Sequence, residues 1–298
     1  MIARLARQST AILLRKCHRL LRNLSQGRVD CVEATHQLRV ATRRADVALR
    51  IYGEWLPNRR RKWLRRVLQQ VRAEAGTVRD LDLLAMNWLP TQDPAGVLVA
   101  PDVAAWLHTR IQQQRSDAWH RLLHWTRKSK ATRLRKRSRT LVQSLRRRGH
   151  GTAADLVSQS LARLAEQLRE ALPFTSTSLP SSHRTRIHAR RLRYALELLQ
   201  EFLSEDILVI GEPLAQMQQQ LGQVNDDATE IRFLEDAICA CGDPHLAERL
   251  KPLLELASAA AEEHLAKWAV DSAGQLSSLI EVLDRIAPGR LADSKSLP

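Results

Sequence analysis

The sequence is short of aromatic residues: Phe, Trp and Tyr supply 4% of 298 positions, and glycine and proline number only 11 each. That leaves too little strand and turn material for an all-β fold. No run of about 18 uncharged apolar residues occurs, which excludes a helical membrane span. The four cysteines, Cys17, Cys31, Cys239 and Cys241, fit neither a zinc-ribbon spacing nor a disulfide framework, so a reducing, cytoplasmic compartment is expected. Acidic residues are missing from the first 29 positions, which carry Arg4, Arg7, Arg15, Lys16, Arg19, Arg22 and Arg28. A transit peptide has this look. Here Ile12, Leu13, Leu14, Leu20, Leu21 and Leu24 suit a buried stripe, so a first bundle helix is expected. Catalytic signatures are also missing: there is no P-loop, no H-E-x-x-H, no G-x-S-x-G and no paired acid cluster for Mg²⁺. Making or cleaving a phosphoanhydride normally needs such carboxylates and metal, so no enzyme, cofactor or metal site is expected.

What is present is charge and helix formers. Leu, Ala, Arg and Gln dominate, and apolar residues reach 44%, enough for one large or two ordinary domains. Residues 1–196 carry 40 Lys/Arg against 13 Asp/Glu, and residues 197–298 carry 7 against 19. So basic a stretch needs a polyanionic partner: nucleic acid, an anionic surface or polymeric phosphate. Helical periodicity predicts helices near 3–25, 31–54, 57–75, 78–88, 102–126, 130–148, 153–171, 183–204, 207–221, 225–241, 244–267 and 272–286. Loops are expected at 91–101 and 173–182, a glycine break at Gly149 and Gly151, and a frayed tail at 288–298. In 57–75, Leu64, Leu68, Val71 and Ala75 share one face, and Arg61, Lys62, Arg65, Arg66 and Arg72 occupy the other without one anion.

The chain repeats itself. HQLRVATRRA starts at His36 and HRTRIHARRL at His183, and both read H-x-x-R-x-x-x-R-R. His36, Arg39, Arg43 and Arg44 thus correspond to His183, Arg186, Arg190 and Arg191. Downstream, Gly76-Thr77-Val78-Arg79-Asp80 corresponds to Gly222-Gln223-Val224-Asn225-Asp226. Matched order at nearly constant offset predicts two related helical halves, 1–150 and 151–287, with the basic helix near 130–148 as an extra element between them. Positions i, i+3 and i+7 lie within about 60° on a helix. His36, Arg39 and Arg43 therefore form one stripe, extended by Arg50, and His183, Arg186 and Arg190 form another, extended by Arg193. Each stripe is expected near a helix N-terminus, where the dipole adds positive potential. Cations stacked on one face repel unless an anion neutralises them, and arginine's planar fork suits phosphate oxygens. Such stripes call for a polymer with closely spaced anionic groups and no bulky bases.

These doubled motifs, with G-x-x-R-D and G-x-x-N-D behind them, resemble the CHAD domain (conserved histidine α-helical domain) over about residues 5–270; RRLRYALELL at 190–199 is especially similar. The resemblance implies an all-α fold of two four-helix bundles related by a pseudo-two-fold axis. It also implies a basic surface and central channel that bind inorganic polyphosphate without catalysis. The residues placed in that site are His36, Arg39, Arg43, Arg44, Arg50, Arg61, Lys62, Arg65, Arg66, His183, Arg186, Arg190, Arg191 and Arg193. Polyphosphate-metabolising enzymes or granules are the further partners expected. Two departures stand out. Asp46 takes the place of Arg193, and the counterpart of the basic 57–75 helix, ILVIGEPLAQMQQQL at 207–221, has no cation, which predicts a lopsided surface.

Other constellations carry competing readings. RLRKRSR at 133–139 reads as a nucleic-acid patch, with Trp119 and Trp125 near enough to stack on bases. No helix-turn-helix, RRM, KH or zinc-finger pattern accompanies it, and Trp106, Trp119 and Trp125 also suit a helix core. An RNA- or DNA-binding accessory role is the alternative function. His120 and His124 have metal-compatible spacing but cationic neighbours. His36 and His183 are read either as phosphate donors or as packing residues between bundles. Asp226 and Asp227 are expected to cap a new helix and hold a motif arginine in place, and Asp80 either to do the same or to orient Arg39 or Arg43 by an ion pair.

Overall fold

A computed structural model describes residues 2–26, 31–87, 99–144, 153–172 and 178–286. Ten α-helices follow one another among them: α1 (Ile2–Ser25), α2 (Cys31–Ile51), α3 (Asn58–Asn87), α4 (Pro101–His124), α5 (Lys128–Gln143), α6 (Ala153–Ala171), α7 (Leu179–Leu199), α8 (Glu205–Leu208), α9 (Gly211–Ala240) and α10 (Pro244–Ile286). No strand occurs among the described residues, as the scarcity of strand formers requires. None of these helices is long and apolar enough to cross a membrane. The expected loop at 91–98, the break at Gly149 and Gly151, the segment 173–177 and the tail 288–298 lie outside the described residues.

The chain divides into two compact units, Met1–His150 and Gly151–Pro298. In the first, α1 packs on α2, α2 on α3 and α3 on α4, and α5 returns to pack against α1 and α3. In the second, α6, α7, α9 and α10 pack in that order, and α10 meets α6 to close a four-helix ring. Each helix buries the face its periodicity dictates. Leu64, Leu68, Val71 and Ala75 of α3 are all buried, as their shared face predicts. The α1 stripe is Leu14, Cys17, Leu21 and Leu24, whereas Ile12 is exposed. Burial pushes the Cys17 thiol up to about 12, so this cysteine is an inert core residue.

Three expected breaks are absent. Helix α3 runs through Gly76 and Thr77, α9 runs through Gly222, and α10 runs 43 residues from Pro244 through Trp268 to Ile286. A lone glycine costs a helix only about 1 kcal/mol, too little to stop one whose apolar face is buried on both sides. Asp80 and Asp226 therefore sit mid-helix and cap nothing. The basic helix near 130–148 is not an extra element either. In packing order, α4 and α5 of the first unit correspond to the single helix α10 of the second: α4 on α3 and α5 on α1 match α10 on α9 and on α6. The first unit breaks after Trp125, where the Thr126 hydroxyl donates to the Leu123 carbonyl and Arg127 turns extended. The second passes helically through Trp268.

Candidate functional site

The first stripe lies on α2. His36 is the sixth residue of that helix and His183 the fifth of α7, beyond the first turn where the dipole acts. The expected help from the helix N-terminus is thus mostly lost, and the side chains themselves set the potential. Both histidines are exposed. Partial burial lowers the His36 pKa; Glu33 opposes this, and Arg79, Arg39 and Arg43 reinforce it. His36 is therefore neutral at pH 7 and ringed by guanidinium groups. His183 Nδ1 donates to Asn225 Oδ1 at 3.1 Å, leaving Nε2 as its second polar atom. Asn225 stands where the first unit has Arg79, whose charge lowers the His36 pKa, so the matching positions are neighbours in both units, bonded in the second and repelling in the first.

The arginines on α2 are held by carboxylates from the seam with α3. Arg39 Nη1 lies 3.1 Å from Asp80 Oδ1, which makes Asp80 an orienting partner. Asp46, 8% exposed, accepts from Arg50 Nε at 2.9 Å and from Arg65 Nε at 2.7 Å. Burial acts to raise the Asp46 carboxyl, but Arg50 and Arg65 outweigh it and hold it below the usual carboxylate range. The face of α3 that looked free of anions thus receives one from α2. It remains outnumbered. Arg72 joins the same seam, where burial lowers its pKa, Asp46 opposes this, and Arg50, Arg65 and Arg39 add to it. Arg43 and Arg44 are half-buried on α2.

The expected site residues on α3 do not form one surface. Arg61 and Arg65 turn toward the seam. The Arg61 guanidinium lies so close over Gly53 that a Cβ there would collide with its Nη1, and Nη2 donates to Asn58 Oδ1 at 3.1 Å. Lys62 and Arg66 instead line a separate cleft of about 730 Å³ with Arg59, Arg60, Trp63, Arg137 and Thr140. The sequence reading missed Arg59, Arg60 and Arg137 as its neighbours; the signal was the α5 basic run, read as a supplement.

In the second unit Arg186, Arg190, Arg191 and Arg193 are half-buried along α7. Arg193 Nη1 pairs with Glu197 Oε1 at 2.9 Å, and its guanidinium lies 5.0 Å from the Tyr194 ring. The Asp46–Arg50 pair of α2 and the Arg193–Glu197 pair of α7 occupy matching positions with the charges exchanged. Asp227 is 8% exposed and accepts from His264 Nδ1 at 2.8 Å and from Gln223 Nε2 at 3.1 Å. It fastens α10 to α9 rather than capping a helix.

Other sequence candidates resolve in place. His124 Nε2 accepts from the Lys130 ammonium, so this nitrogen already faces a cation. Among the described residues, no group of three or more His, Cys, Asp or Glu is placed to hold a metal. Trp106, Trp119 and Trp125 are half-buried and outside the α4 core of Val103, Leu107, Ile111, Ala118 and Leu122. Arg110 and Lys130 lie over Trp106 and Trp125, at 5.4 Å and 4.6 Å from the ring centroids.

Fold and site together define a duplicated helical-bundle protein with an arginine- and histidine-bearing helix in each half. The CHAD domain family model matches residues 11–235, and the chain belongs to that family. The crystal structure of the CHAD domain from the plant Ricinus communis is 25% identical, with a TM-score of 0.65, over 95% of this chain and 91% of that one. PptA from Streptomyces chartreusis shares the fold at 18% identity, with a TM-score of 0.71, over 92% of this chain and 99% of that one. No curated protein matches the chain.

Proposed function

We propose that this protein binds inorganic polyphosphate without catalysis, through the α2–α3 seam of the first unit and the α7 stripe of the second. The observation that carries the reading is the imbalance at the seam. Arg39, Arg50, Arg65 and Arg72 gather around Asp46 and Asp80, beside Arg43, Arg79 and neutral His36, which also feels Glu33. Two carboxylates set the forks in place and leave the net charge positive, which is what a phosphate chain needs from a preorganised surface. An approaching polyanion also favours protonation of His36, adding a charged donor. The aromatic beside the α7 stripe, Tyr194, is buried under Arg193 and offers no free face to a base, so phosphate density outweighs base recognition. Polyphosphate-metabolising enzymes and polyphosphate granules follow as the partners and setting of such a binder.

The test is a titration of long-chain polyphosphate, tripolyphosphate, single-stranded RNA and duplex DNA at equal phosphate concentration in one buffer. Long-chain polyphosphate is expected to bind tightest, and its affinity to fall steeply with added salt as displaced counterions require. Arg39→Glu/Arg43→Glu, confirmed helical by circular dichroism, nearly abolishes the tight long-chain binding and leaves it no stronger than that of tripolyphosphate; His36→Ala only weakens it, by about 0.5–1.5 kcal/mol; EDTA changes neither. RNA binding as tight as polyphosphate would overturn the reading in favour of a nucleic-acid accessory protein.

A further inference from the structure

Helix α3 carries cations on two faces, and only one belongs to the seam. The other looks onto α5 across the 730 Å³ cleft. Its wall holds Arg59, Arg60, Lys62, Arg66 and Arg137 with Trp63 and Thr140, and no carboxylate. Among the described residues, these five cations make no hydrogen bond or ion pair; elsewhere in the unit Arg39, Arg50, Arg65, Arg115 and Arg121 all meet Asp or Glu. Five exposed like charges around one cleft repel one another, partly screened by solvent, and an anion relieves that repulsion. The cleft is nonetheless organised. Arg137 lies 4.4 Å from the Trp63 ring centroid and Arg133, one turn away, 6.0 Å. Stacking of this kind fixes a guanidinium plane and leaves its N–H edges available.

We propose that the α3–α5 cleft is a second anion site, separate from the stripes, that takes a short phosphate chain of about three to four groups. Length and charge both set that size. Arg59 to Arg66 span about 10 Å along the helix, roughly three phosphate repeats, and five cations match the charge of a triphosphate. A half-open cleft of about 730 Å³ suits a small ligand rather than a duplex. The chain can be free tripolyphosphate, the end of a long polymer or the triphosphate of a nucleotide; the chemistry recognised is the same. The second unit has no such cleft to offer from its α9, whose only cation is Arg232. The inference stands on the cluster of cations lining the cleft and holds whether or not the stripes bind polymer.

Trp63 supplies a local readout. Tripolyphosphate, ATP, long-chain polyphosphate and inorganic phosphate are titrated while tryptophan emission is recorded, with Trp63→Phe subtracting the six other indoles. A saturable change with tripolyphosphate, absent in Trp63→Phe, is expected. Arg66→Glu/Arg137→Glu weakens it by at least about tenfold, and Arg39→Glu/Arg43→Glu leaves it within about twofold. A matching response to ATP assigns the triphosphate of a nucleotide; a response to tripolyphosphate and polymer alone assigns a bare chain. Either supports the site. No response, a response indifferent to Arg66 and Arg137, equal loss with the Arg39/Arg43 variant, or inorganic phosphate acting at the same concentration overturns it. If the double reversal loses helicity, Arg66→Gln/Arg137→Gln is read by the same criteria, with a loss of about fivefold expected.

Discussion

At the scale of single residues, the structure separates side chains that hold the fold from side chains that hold others in place. His18 on α1 belongs to the first kind. Burial, with Arg135 of α5 nearby, lowers its pKa to about 4. The unfolded chain then binds the proton first, between pH 6.5 and about 4, so the folded state loses stability as pH falls through that window. The loss approaches about 3 kcal/mol. His18→Gln is expected to flatten the pH dependence of the thermal midpoint between pH 7 and 4, and an unchanged slope would show that His18 charges freely in the fold. Asp80 is of the second kind. Asp80→Ala raises the net charge by one, so charge alone would tighten polyphosphate binding. If Asp80 acts by fixing the Arg39 fork, affinity falls instead, by about 3- to 10-fold. Isothermal titration at matched salt decides the sign.

At the scale of helices, periodicity was the readable quantity and interruption was not. The buried face of α3 follows from Leu64, Leu68, Val71 and Ala75 alone. Gly76 and Gly222 look like stops because glycine is a poor helix former, yet both helices continue because burial on either side exceeds that small penalty. Nothing touches the space a Gly76 Cβ would fill. Gly76→Ala is therefore expected to stabilise the protein by about 0.5–1 kcal/mol, seen as a higher melting temperature with unchanged circular dichroism. The motif arginines were legible from their spacing on one helix. Their partners were not: Asp46 to Arg65 crosses 19 positions and Arg39 to Asp80 crosses 41. Such pairs depend on which helix faces meet, and one helix's pattern does not specify the neighbour's rotation. The same gap hid the cleft, because Lys62, Arg66 and Arg137 become neighbours only when α5 returns to α3.

At the scale of the whole molecule, two copies of one plan have been charged differently. Helix α3 backs the α2 stripe with arginines, while α9 backs the α7 stripe with almost none. Arg39→Glu/Arg43→Glu is accordingly expected to lower polyphosphate affinity at least as much as Arg186→Glu/Arg190→Glu, and a reversed order would relocate the main grip to the second half. The exchanged ion pairs carry a further consequence. A duplicated chain runs the risk that a helix from one half docks in the other half while both are still forming. Laid against α3, helix α7 would bring Arg193 to Arg65; laid against α9, helix α2 would bring Asp46 to Gly211 and Glu212 where it needs an arginine. Either mismatched pairing sets like charges together, so the exchange of Asp46–Arg50 for Arg193–Glu197 disfavours a helix in its twin's place.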